Sequence, residues 1–249
     1  MIIQAIGENW IVIERITKAY LLIILMLALF VFVVIKYFNK YRKAVFLTAF
    51  PLFLFIKLSE DYLRSELTIF DNAIYNFMER FISQDLTLMM KAISYLGSPQ
   101  ILIIFTLAFY LVFRKIKFFA YYRSIIVINL IVSSTLNNLF KVIFHRQRPD
   151  ILQLVDVLGY SFPSGHSMVG LSFYGMLLYL YFVNAGSKWK KYAIIIFFCL
   201  LILSVGISRI YLGVHYASDV LVGFAAGLAW LTAFIPLAKR YLKLSKINP

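Results

Sequence analysis

The 249 residues are 62% hydrophobic and 14% charged, with a mean hydropathy of +0.85, whereas a soluble domain carries about 25% charged residues. That composition excludes an ordinary soluble protein. The formal charge of +14 does not point to nucleic acid, because the cations sit in short clusters between apolar runs, the topogenic pattern of a polytopic membrane protein.

Seven apolar runs follow in chain order: 19–35, 44–56, 100–113, 124–140, 166–183, 192–207 and 217–238. Each is a candidate span of the roughly 20 residues a helix needs to cross a bilayer. The second is the shortest and contains Pro51, so it borrows flanking residues, thins the bilayer locally or re-enters it. Glu8 and Glu14 occupy what would be the basic region of a leader, so no cleavable signal peptide is expected. Cys199 is the single cysteine, which excludes an internal disulfide and any cysteine-built metal site. Inside its apolar run it reads as a small buried side chain.

Four segments are purely basic: 36–43, 114–123, 188–191 and the tail from Lys239. They hold fifteen of the 25 Lys and Arg and no acid, and with seven spans they all fall on one side. The positive-inside rule makes that side cytoplasmic. The N-terminus then lies outside, or inside if one early segment fails to cross. Between the second and third spans, Phe70, Ile74, Phe77 and Phe81 recur at helical spacing with Asp71, Glu79 and Arg80 among them. This predicts an amphipathic helix packed over the outer ends of the bundle, with an interfacial helix bordering lipid as the alternative.

Three polar stretches interrupt the oily second half, at 141–149 (KVIFHRQRP), 162–167 (FPSGHS) and 208–219 (SRIYLGVHYASD), and they hold all three histidines. The topology puts every one on the non-cytoplasmic face. His215 and Asp219, four apart, share a helical face, so the carboxylate can fix the imidazole tautomer and leave one nitrogen to attack. Arg209 can fold back across a turn at Gly213, or it can simply neutralise Asp219. Ser164 and Gly165 open a helix and can offer backbone N–H groups to an anion, or Ser164 can serve as an ordinary cap. His166, beside them, can protonate a leaving oxygen. Lys141 and Arg148 add a point charge and a planar fork for phosphate oxygens. Arg146 reads as a cation snorkelling at the membrane interface, and His145 receives no role.

Together the stretches match K-x6-RP, PSGH and SR-x5-H-x3-D at all eleven specified positions, in order. Here the chain resembles the type 2 phosphatidic acid phosphatase family, which shares its site with vanadium haloperoxidases. The resemblance covers roughly residues 70–231, including ISYLGS and GVHYASDVLVGF. Ala217 stands where many relatives have proline. The resemblance implies an all-α fold, a polytopic transmembrane bundle with a six-helix phosphatase core plus an extra N-terminal span. Residues 1–43 form the N-terminal segment with its span and basic cytoplasmic loop, and 44–249 the membrane phosphatase domain. It further implies a two-step reaction without metal or cofactor. His215 is the nucleophile, Asp219 orients it and His166 protonates the leaving group. Lys141, Arg148, Ser164, Gly165 and Arg209 cradle the phosphate. The expected partners are membrane lipids and a phosphorylated lipid substrate, namely undecaprenyl diphosphate, phosphatidylglycerol phosphate or phosphatidate, met at the extracytoplasmic face of the cell membrane. Phosphotransfer to another lipid or sugar, and non-catalytic lipid binding or transport, are the alternatives.

Overall fold

The computed structural model describes residues 45–112, 114–115, 120–150, 153–184 and 188–245. The expected span at 19–35 and the segment 1–43 lie outside them. The described residues form eight helices and no strand: α1 over 45–63, α2 Thr68–Glu79, α3 Gln84–Leu96, α4 Pro99–Val112, α5 Ala120–Phe144, α6 Gly165–Asn184, α7 Lys188–Tyr211 and α8 Ala217–Ser245. The all-α bundle expected from the sequence is present.

Among the described residues, three stretches of helix are long and apolar enough to cross a membrane, Tyr121–Phe144, Tyr192–Tyr211 and Ala217–Tyr241. A fourth crossing arises if α3 and α4, bent by 48° at their junction, act as one broken span. The run at 44–56 continues as helix to residue 63, and Lys57, Glu60 and Asp61 on its added turns keep it from qualifying. The run at 166–183 lies within α6. In the bundle α6 packs against α5, α7 and α8.

Two glycines of α8 set the closest of these packings. A Cβ on Gly223 would lie 2.8 Å from the Ser164 carbonyl oxygen, and one on Gly227 would lie 2.5 Å from that of Met168. Small residues four apart let two helix backbones approach within a membrane. A buried polar knot fastens the same bundle lower down. Asn129 Nδ2 donates to the Ser172 carbonyl at 3.0 Å, and Ser172 Oγ and Trp230 Nε1 both donate to Asn129 Oδ1 at 2.9 Å.

α2 packs against α7 and α8, as expected of a helix laid over the bundle, but the face it turns inward and the placement of Cys199 differ from expectation. On α2 the buried residue is Asp71, whereas Phe70 and Phe77, and Phe81 just beyond the helix, are exposed. Its apolar stripe therefore faces away from the bundle, as an interfacial helix requires. Cys199 is exposed on α7 instead of buried.

Candidate active site

The three polar stretches converge at the ends of α5, α6, α7 and α8. Lys141 lies in the last turn of α5, and Arg146 and Arg148 lie on the loop beyond it. Gly165 and His166 open α6, and Arg209 lies in the last turn of α7. Gly213, with φ of 68°, turns the chain sharply so that His215 returns towards the bundle ahead of Asp219 in the first turn of α8. The loop before α6 is anchored by Phe162, wholly buried and stacked on Tyr62 with ring centroids 4.8 Å apart.

His215 is 3% exposed. Its Nδ1 lies 3.1 Å from Ser161 Oγ and 3.4 Å from Asp219 Oδ2, and Ser161 Oγ donates onward to the same carboxylate oxygen. Its Nε2 faces Arg148 Nη1 at 3.3 Å. A guanidinium can only donate, so Nε2 is the lone-pair nitrogen and Nδ1 carries the proton. Burial pushes the imidazole down to about 3, against the pull of Asp219. The ring is therefore neutral at ordinary pH, with its basic nitrogen turned towards a cation.

Asp219 is fully buried and fully partnered. Oδ2 accepts from Ser161 and from the Tyr216 amide at 2.9 Å, and Oδ1 accepts from Arg146 Nη1 at 2.7 Å. The sequence offered Arg209 as a neutralising partner for this carboxylate, but Arg146 takes that place. Burial works against the Arg146 charge, yet Asp219 and Asp71 outweigh it and raise the guanidinium above its ordinary value. Arg146 is no snorkelling cation.

The other three cations are differently placed. Lys141 Nζ donates to the Tyr160 carbonyl at 2.5 Å. Arg148 donates to the carbonyls of Val214 at 2.7 Å and Gly159 at 2.9 Å. Arg209, 5% exposed, donates to Ser94 Oγ at 2.5 Å, and its Nε is buried without a partner. Among the described residues no carboxylate pairs with any of the three. Burial lowers the Arg148 guanidinium, with Asp219 opposing. His166 stands within electrostatic reach of all three and of His215. It packs on Gly97, where an added Cβ would come 3.2 Å from its Cδ2.

Ser164 departs in part from expectation. Its amide donates to the Asp219 carbonyl at 3.0 Å, so that N–H is spent within the protein, and its Oγ accepts from Ser167 at 3.2 Å. The Gly165 amide, at the first position of α6, is one of the donors a helix leaves without an internal partner. Sequence reasoning missed Asp71, Ser94, Arg146 and Ser161. Ser94 lies within the ISYLGS segment and Ser161 two residues before Pro163, so both stood next to recognised motifs. Arg146 lies inside the first polar stretch, two residues before Arg148, whereas Asp71 carried no local signal beyond charge.

The arrangement can hold a tetrahedral anion among three cations, with a neutral imidazole lone pair aimed at it. Among the described residues no group of three His, Cys, Asp or Glu side chains forms a metal set. Residues 122–242 match the family model described as PAP2 superfamily. Over that stretch the chain is similar to the PAP2 superfamily. Phosphatidylglycerophosphatase B of Bacillus subtilis (strain 168) is 45% identical over 95 residues, 37% of this chain and 46% of that protein. The chain thus spans about half the length of that curated relative. The crystal structure of a transmembrane PAP2-type phosphatidylglycerolphosphate phosphatase from Bacillus subtilis superposes with a TM-score of 0.71 at 26% identity. That match covers 78% of this chain and 97% of the other. The Aquifex aeolicus LpxE structure matches at a TM-score of 0.50 and 26% identity, covering 66% of this chain and 93% of that one.

Proposed function

We propose that the chain is a membrane lipid phosphatase that works through a phosphohistidine on His215. The observation that carries this reading is a set of three cations, Lys141 and Arg148 half-buried and Arg209 buried, that form no ion pair with a carboxylate and gather beside a neutral imidazole. A buried charge left unpaired is costly, and a phosphate dianion is the partner that would repay it. Arg146, fully paired, supplies the contrast.

In this reading the substrate phosphate sits against Arg148, Lys141 and Arg209, near the Ser164 hydroxyl and the Gly165 amide. His215 Nε2 attacks phosphorus in line with the lipid oxygen. The P–O bond to the lipid breaks as the N–P bond forms, and His166, which takes up a proton once the bound phosphate dianion offsets the cations around it, gives that proton to the departing oxygen. The ring becomes cationic, its Nδ1–H held by Ser161 and Asp219. Water then attacks the phosphohistidine and passes a proton to His166, which releases phosphate and restores both histidines. Charge stabilisation by the fixed cations supplies most of the rate enhancement, as is general for phosphoryl transfer. No metal is required, because the three cations neutralise the developing charge. The positive-inside pattern supports an extracytoplasmic site.

The Bacillus subtilis relatives are named for phosphatidylglycerophosphate, so that lipid heads the substrate panel, with phosphatidate and undecaprenyl diphosphate beside it. Purified full-length chain is expected to release phosphate from at least one of them, in EDTA and with inhibition by vanadate. His215→Ala is expected to lose at least about 1,000-fold in kcat, as removal of a covalent nucleophile does. Wild-type turnover by His215→Ala, or activity that EDTA abolishes and magnesium restores, would contradict the scheme.

A further inference from the structure

Asp219 is held from behind by a closed ring of bonds that joins three separate parts of the chain. Arg146 Nη1 donates to Asp219 Oδ1 and to Ser218 Oγ, both at 2.7 Å, and its Nη2 donates to Asp71 Oδ2 at 2.6 Å. Asp71 also accepts from the Ser218 amide at 2.8 Å and from Ser218 Oγ at 2.7 Å. The guanidinium lies over the rings of Tyr62, at 4.8 Å, and Tyr216, at 4.0 Å. Asp71 and Asp219 are 2% and 0% exposed, so water cannot substitute for any of these partners.

We infer that Arg146 and Asp71 are positioning residues for phosphoryl transfer, acting on His215 through Asp219. The inference rests on the reading of His215 as nucleophile. Arg146 occupies Oδ1 and so presents Oδ2 to Nδ1 and Ser161. A single cation facing Asp219 alone would cancel its charge. Asp71 prevents this: one guanidinium shared between two carboxylates leaves the cluster with a net charge of about −1. That residual charge is what an imidazole needs when it turns cationic on bonding phosphorus. Asp71 belongs to α2, the outer helix with the exposed apolar stripe, so full charge compensation of the nucleophile requires that helix to be docked.

The test uses the full-length chain in detergent with dioctanoyl phosphatidate as substrate and inorganic phosphate as competitive inhibitor. Asp71→Asn keeps shape and hydrogen-bond acceptors on one side while removing the charge. It is expected to lower kcat about 10-fold while KM and the phosphate inhibition constant stay within about twofold. Arg146→Gln is expected to lose about 100-fold in kcat, and Arg146→Lys to recover at least about 5-fold of that loss. Thermal midpoints accompany each variant. Wild-type kcat in Asp71→Asn would overturn the inference, as would a fall in kcat matched by an equal weakening of phosphate inhibition, since the clamp touches no phosphate. A loss that Arg146→Lys fails to relieve in any measure would do the same. A wild-type chain inert towards every lipid phosphate would overturn the functional reading itself.

Discussion

The Arg148 guanidinium, 3.3 Å from His215 Nε2, decides which ring nitrogen is basic, and burial decides that the ring is neutral. This has a consequence for stability. Folded His215 takes up its proton only near pH 3, whereas an unfolded imidazole does so near about 6.5. The unfolded chain therefore binds the extra proton across that window. Stability from this residue is intact above about 6.5 and falls as pH drops towards the folded value. Thermal denaturation in detergent should show the wild-type midpoint falling between about pH 7 and pH 4, with a shallower fall in His215→Asn. Equal pH slopes in the two proteins would contradict the buried neutral ring.

Helix crossings translate these single-residue demands into architecture. Gly223 and Gly227 bring α8 against α6, and with it His215 and Asp219 against Ser164 and His166. Gly227→Val would drive a side chain into the Met168 carbonyl, 2.5 Å from an added Cβ. Overpacking of this kind costs about 1–3 kcal/mol, and a shift of about 1 Å between reacting groups can cost about 100-fold in rate. The expected outcome is a lower thermal midpoint and at least about a 10-fold loss of kcat. Gly170→Ala on α6 is the control, since a Cβ there meets nothing within 4 Å and activity should be unchanged. Much of this level was legible in the sequence. His215, Asp219, His166, Lys141, Arg148 and Arg209 sit where apolar runs stop, and helix ends are where a membrane bundle can place charge. The Arg146 clamp was not legible, because Asp71 is 75 residues away and only the fold brings it to α8. The orientation of α2 was misread for the same reason. A helical wheel shows which face is oily, but a buried salt bridge can turn the oily face outward. Cys199 illustrates the same limit, since an apolar run does not tell lipid-facing from core-facing positions.

At the scale of the whole molecule, the proposed site lies at one face of the described residues and much of the rest is hydrophobic body. The side of the membrane on which that face lies can be measured by labelling. Ser161, close to the middle motif, is wholly buried and unsuitable, whereas Leu158 on the same loop is 96% exposed. Leu158→Cys in a Cys199→Ala background should react with an impermeant maleimide in intact cells; reaction only after permeabilisation would put the site in the cytoplasm. The anchoring of Lys141 and Arg148 also bears on how freely this loop can diverge. Their partners at Gly159, Tyr160 and Val214 are main-chain carbonyls, atoms every amino acid possesses. Point substitution cannot delete such an anchor; only a change in the path of the backbone can. The loop is thereby free to vary in its outward side chains, and so in the surface it shows to arriving lipids, while the cations beneath stay in register. Substrate preference can drift there without the chemistry having to be rebuilt.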